Sequence, residues 1–221
     1  MRLVLLFIVS FISFSTVAGK NLEDKLLKNF QLCKHGTFEE CSSVLIGSDS
    51  FKRAFFSLLE TMRQDAIFTE LYKKSYGVDE YEKFNDAFKL NISLMESADF
   101  KLVSTVGDRA VFKDEEDFEI TLVKENNKWK MDLEKSFSGL FGEMSVEQFQ
   151  ELTSLMSGMK IRLISLIENK ANVDDVYKSG GLYFAATIYD LVNDDMQKKL
   201  DDVFIERGQT LSQIRGELVV K

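Results

Sequence analysis

Cys33, His35 and Cys41 are the residues whose types and spacing could most directly do chemistry, and they include both cysteines and the only histidine of a 221-residue chain. Two thiols and an imidazole could begin a zinc site, but a tetrahedral site needs a fourth ligand and none stands at a matching spacing. A thiol and an imidazole could form a nucleophile pair, yet catalytic pairs usually meet across a fold rather than two residues apart. Two cysteines in an oxidising compartment can also simply bridge. The expectation is a Cys33–Cys41 disulfide, with no metal, no cofactor and no catalytic residue. A single histidine also excludes HExxH sites and leaves one candidate imidazole base for any serine or cysteine nucleophile.

The neighbouring residues say what would position such a bridge. Leu22, Leu26, Leu27 and Phe30 recur at helical spacing, and Gly36 can close that helix in a left-handed cap. Thr37-Phe38-Glu39-Glu40 has the form of a capping box that opens a second helix. The bridge would then staple an αα-hairpin across a nine-residue loop, contributing roughly 2.5 kcal/mol in the chain-entropy model. Other reactive patterns are poorer. Asp114-Glu115-Glu116-Asp117 lacks the spaced ligands and glycine of a calcium loop and is expected to be a solvated hairpin tip. Asn91-Ile92-Ser93 is a glycosylation sequon, meaningful only in a eukaryotic source. No phosphate-cradling glycine loop and no G-x-S-x-G elbow occurs.

The amino terminus supplies the compartment. Met1-Arg2 is followed by the apolar run Leu3 to Val17, too short to span a bilayer comfortably, and then by small-x-small patterns ending at Ala18 or Gly19. Residues 1–18 are expected to be a cleaved signal peptide, so the protein is exported, periplasmic or secreted, with no membrane span afterwards. The formal charge is −8; cleavage removes Arg2 and makes it −9. That sign opposes nucleic acid, because phosphate contacts need clustered Lys and Arg. The chain contains no proline, which excludes proline-rich linkers and cis-proline turns.

Two architectures follow each other along the chain. A helix over 50–75, capped by Asp49 or Ser50, lines one face with Phe51, Ala54, Phe55, Leu58, Leu59, Met62 and Ala66; Gly77 stops it and a shorter helix runs to Phe88. From about residue 91 the period changes to two. Phe100, Leu102 and Ser104 share a face, Gly107-Asp108 turns the chain, and Phe118, Ile120 and Leu122 alternate. Asn126-Asn127 then leads into a strand with Trp129, Met131 and Leu133 on one side. Ser136 to Met144 is expected as a loop. Ser145-Val146-Glu147-Gln148 caps a helix to about Asn169, with Phe149, Leu152, Met156, Met159, Leu163 and Ile167 in line, and helices over 173–192, 194–207 and 210–219 complete the chain.

The fold class is therefore α+β: N-terminal helices packed on a curved antiparallel β-meander of about four strands, followed by a helical C-terminal third. The division expected is 19–135 for helices plus sheet and 136–221 for a helical region packing on the same domain. Val106-Gly107-Asp108-Arg109-Ala110-Val111 and the run Leu122 to Leu133 resemble the hairpins of exported bacterial proteins with nuclear-transport-factor-2-like (SnoaL-like) domains. The Lys74-Ser75-Tyr76-Gly77 helix end is similar to that group as well. The resemblance implies a sheet curled around helices into a cone with an apolar interior. Enzymes of that fold often carry an Asp, His or Tyr there for acid–base work.

Phe100, Leu102, Phe118, Ile120, Leu122, Trp129 and Met131 are the candidate lining, as core or as pocket. No carboxylate alternates onto the Phe and Trp faces, and His35 lies far from the sheet in sequence. The expected function is thus non-enzymatic: binding a protein partner or a small apolar ligand through a sheet–helix surface or pocket. The alternative is a small hydrolase or isomerase with an acid–base pair inside the cone.

Overall fold

A computed structural model of the chain describes residues 20–88, 100–114, 117–137 and 144–219. Residues 1–19, which include the expected signal peptide and its expected cleavage positions, and the Asn91 sequon lie outside the described residues. So do Glu115, Glu116, Gly139 and Gly142. The protein is α+β, with helices at both ends of the chain and one five-stranded mixed sheet. Its contacts divide it into two compact units, Met1–Phe56 with Met95–Glu143, and Ser57–Leu94 with Met144–Lys221. Residues 57–88, which lie in sequence between the first strand of the sheet and the other four, group with the C-terminal helices.

In the first unit, helix α1 (20–35) buries Leu22, Leu26, Asn29 and Cys33, a strict four-three-four spacing. Leu27 therefore points outward, 58% exposed, and Asn29 takes an inward position, donating from Nδ2 to the Trp129 carbonyl at 3.0 Å. Helix α2 (Phe38–Ser42) opens on the expected box. The Thr37 hydroxyl accepts from the Glu40 amide at 3.3 Å, and the Glu40 carboxylate accepts from the Thr37 amide at 2.8 Å.

Cys33 and Cys41 are joined and fully buried. Gly36 between them is not in the left-handed region, contrary to the cap expected of it. Glycine is needed there for space, because a Cβ would overlap the Leu32 carbonyl oxygen and lie 2.9 Å from Glu40 Oε2.

The sheet comprises β1 (Leu45–Ile46), β2 (Lys101–Val106), β3 (Arg109–Lys113), β4 (Glu119–Glu125) and β5 (Lys128–Asp132), in the order β1-β5-β4-β3-β2. Strands β2 to β5 pair antiparallel in succession. The unforeseen fifth strand, β1, pairs parallel with β5 and makes the sheet mixed. Two-residue turns join β2 to β3 and β4 to β5, with Gly107 at φ 57° in the first and Asn126 and Asn127 at φ 49° and 60° in the second. Those left-handed values match the twist of the flanking strands.

A register shift between Leu102 and Ser104 breaks the expected alternation: Leu102 pairs with Phe112 and Thr105 with Ala110, so Thr105 rather than Ser104 shares the Leu102 face. Leu133, expected to end the last strand, instead opens helix α5 (Leu133–Phe137), which also takes in Ser136 from the expected loop.

The second unit holds the rest of helix α3 (Asp49–Tyr76) with α4 (Val78–Phe88), α6 (Val146–Glu168), α7 (Val173–Ile188), α8 (Asp194–Glu206) and α9 (Leu211–Leu218). Ser48, not Asp49 or Ser50, caps α3, its Oγ accepting from the Phe51 amide at 3.3 Å. Side-chain oxygens of Ser145, Asn172, Asn193 and Thr210 cap α6, α7, α8 and α9.

Along α3 the buried stripe continues as Leu58, Thr61, Phe68 and Tyr72, which leaves Ala66 exposed and Met62 half-buried. Gly180 of α7 lies against α4, where a Cβ would come 2.8 Å from the Phe84 ring. Replacing Cys33 and Cys41 together by serine is expected to lower stability by roughly 2.5 kcal/mol, read from urea unfolding of the oxidised and substituted proteins.

Candidate functional site

The residues singled out by sequence as lining separate into two groups. Ile120, Leu122 and Met131 are completely buried, together with Ala110 and Phe112 from the neighbouring strand. They share one face of the sheet, because Ala110 pairs with Leu122 and Leu122 with Met131, while Phe112 pairs with Ile120. Phe100, Leu102, Phe118 and Trp129 are only half-buried. Rings continue from this group into the interior: Phe30 stacks on Phe100 at 6.0 Å, Phe118 lies 5.7 Å from Phe137, and Phe137 lies 4.8 Å from Phe55. Trp129 thus lies at the margin of the core, and its backbone carbonyl is what α1 engages.

The polar groups buried on the opposite face have structural partners. Asp132 caps α5, accepting from the Lys135 amide at 3.2 Å and pairing with the Lys135 ammonium at 3.4 Å. Pairing between β4 and β5 stops at Leu122 and Met131, and the amide of Thr121, the next residue, donates to the Ser136 hydroxyl at 2.9 Å. His35 is exposed. Among the described residues, no group of three or more His, Cys, Asp or Glu side chains gathers as metal ligands would.

The most unusual electrostatics lie in the second unit. Lys160, on the inward face of α6, is only 5% exposed at its side chain and meets Asp65 of α3 at 2.5 Å. Its ammonium also sits 4.4 Å above the Phe68 ring. Burial pushes the Lys160 amine below the ordinary lysine range, and the Asp65 carboxylate opposes that push. A buried lysine of lowered basicity is a group that active sites use as base or nucleophile. Here its nearest partners are a structural carboxylate and a packed ring, an arrangement that holds charge rather than presents it.

Beside it stands an aromatic cluster. Tyr72 is fully buried among Phe68, Tyr76, Tyr81 and Phe84, with centroids 5.0 to 6.0 Å away. Tyr76 donates to the Ala171 carbonyl at 2.6 Å, and Tyr81 shares a hydrogen bond with Thr69 at 2.9 Å. The Tyr72 hydroxyl has no hydrogen-bond partner among the described residues. Burial, reinforced by Glu80, pushes its ionisation up to about 12.

Sequence reasoning passed over Lys160 although a signal was present. A lysine stands between Met156 and Leu163, on the apolar line of α6, where a solvated face would not place it. No family model, curated protein or solved structure matches this chain.

Replacing Tyr72 by Phe removes an orphaned hydroxyl and is expected to raise stability by about 1 kcal/mol. The pH dependence carries a defined sign. The Tyr72 phenol is half-ionised at pH 10.0 in the unfolded chain and at about 12 in the folded one, so its contribution is intact below about pH 10 and is lost as the pH rises through about 12. Unfolding in urea between those pH values should therefore show a shallower alkaline loss for Tyr72→Phe than for the native protein.

Proposed function

We propose that this is an exported, non-enzymatic protein that binds a protein partner through the β2–β3 hairpin of its first unit. The observation that carries the reading is the exposure of Val103 at 59% and Val106 at 77% on the outermost strand. Strand edges in isolated proteins are ordinarily protected by charge or cover, and the cost of wetting two aliphatic side chains there is recovered if a partner covers them. Arg109 stands opposite Val106, and Lys113 stands directly opposite Lys101. Like charges in register repel, and carboxylates from a partner would relieve that repulsion. Asp117 and Glu119 now reach Lys113 and Arg109 only at 3.5 and 3.9 Å.

Export is supported by the amino-terminal signal pattern and by the buried disulfide, which belongs to an oxidising compartment. Among the described residues no helix is long and apolar enough to cross a membrane. The resemblance to nuclear-transport-factor-2-like hairpins adds the expectation of a curved sheet. In that variant of the reading a small apolar ligand would enter beside the half-buried Phe100, Leu102, Phe118 and Trp129.

A photo-crosslinking residue at position 106 of the full-length chain, in cells that export it, should give a discrete heavier adduct. The same probe at exposed Lys178 should give none. Val103→Asp, introduced beside the probe, should abolish the adduct. Equal labelling from both positions, or none from either, would overturn the reading.

A further inference from the structure

The seam between α3 and α6 carries a ladder of polar contacts inside an apolar interface. Nearest the start of α6, the Thr153 hydroxyl reaches Ser57 Oγ at 2.9 Å, and Ser57 Oγ also lies 3.2 Å from Ser154 Oγ. Next, the Thr61 hydroxyl donates to the Thr153 carbonyl at 2.7 Å. Farther along, Asp65 meets Lys160 at 2.5 Å. The residue numbers rise together on both helices, so the two run in the same direction along the seam. Thr61, Thr153 and Lys160 are all buried.

The apolar residues by themselves would not determine how α6 is placed lengthwise. Its buried positions Leu155, Met159, Leu163 and Ile167 recur every four residues, about one turn, and pack with Phe68 and Tyr72 of α3. A slide of one turn, about 5.4 Å, would bring one large apolar side chain where another had been. The polar rungs respond differently. After such a slide Lys160 leaves Asp65 while still inside the interface, and a buried ammonium without its partner is strongly unfavourable. Gly158 does not supply this discrimination toward α3. Its lack of a side chain admits the Leu218 carbonyl of α9, so it locates α6 against a different helix.

We propose that the Asp65–Lys160 pair is a register key that selects one lengthwise placement of α6 on α3 from several that the apolar stripes would accept. The hydroxyl rungs at Thr61 and Thr153 are too short-ranged to do this alone, since an unpaired threonine can return its hydroxyl to its own helix. Both already make that contact, with the Ser57 and Phe149 carbonyls at 3.0 Å. The charged pair has no such retreat on the Lys160 side.

The test is the full chain with Asp65→Leu and Lys160→Met together, which replaces the pair by apolar groups of similar size. Helical content by circular dichroism should be retained and the thermal midpoint should be equal or higher, because apolar replacement of a buried ion pair is often neutral or stabilising. Amide resonances from 57–76 and 146–168 should split or broaden, and their hydrogen exchange should quicken about tenfold or more as alternative placements become populated. Lys160→Met alone, which leaves the 30%-exposed Asp65 side chain free to hydrate, should show the same splitting. A double variant with one sharp set of resonances and native exchange would overturn the proposal. So would one that fails to fold, since the apolar stripes are held to suffice for folding.

Discussion

Burying backbone and charge obliges a chain to pair every polar group it removes from water, and that obligation accounts for more of this structure than any single apolar contact. In the first unit it ends the sheet. Where pairing of β4 with β5 stops, the Thr121 amide takes the Ser136 hydroxyl of α5 as its acceptor, while Asp132 caps the new helix. In the second unit it places Asp65 under Lys160 and Thr61 under Thr153. The rule has two exceptions among the described residues, the hydroxyls of Ser42 and Tyr72. The second sits in an aromatic cluster whose ring packing offsets the lost hydrogen bond.

The same obligation separates what looks like chemistry from what is structure. A lysine of lowered basicity, a tyrosine of raised pKa and a buried carboxylate are the raw materials of acid–base catalysis. In this chain they are distributed: Asp132 caps a helix in one unit, and Lys160 and Tyr72 are packed into the other. At the β2–β3 hairpin aliphatic and basic side chains face water, and the proposed role in partner binding rests on those side chains.

Several elements were legible because their causes are local. The Thr37–Glu40 and Ser145–Gln148 boxes, the Gly107-Asp108 and Asn126-Asn127 turns and the Cys33–Cys41 corner each depend on residues within ten positions of one another. The misreadings share the opposite character. Strand β1 exists only because Leu45 can lie beside Met131. The outward turn of Leu27 depends on Asn29 finding the Trp129 carbonyl. The shift at Val103 depends on how β2 meets β3. Ala66 turned outward because the inward stripe of α3 advances through Thr61 and Phe68 toward α6 and α4.

The sequence alone determined the starts of α2, α6, α7 and α8, the two tight turns, the disulfide, the switch from period 3.6 to period two, and the α+β class, since capping, turn sterics and hydrophobic periodicity act within a few residues. The tertiary structure decided the mixed sheet, the grouping of residues 57–88 with the C-terminal helices, and the partner of Lys160. Those depend on which surfaces meet across fifty to a hundred residues. A lysine on an apolar stripe announces that it needs a carboxylate; only the packing of α6 on α3 decides that the carboxylate is Asp65.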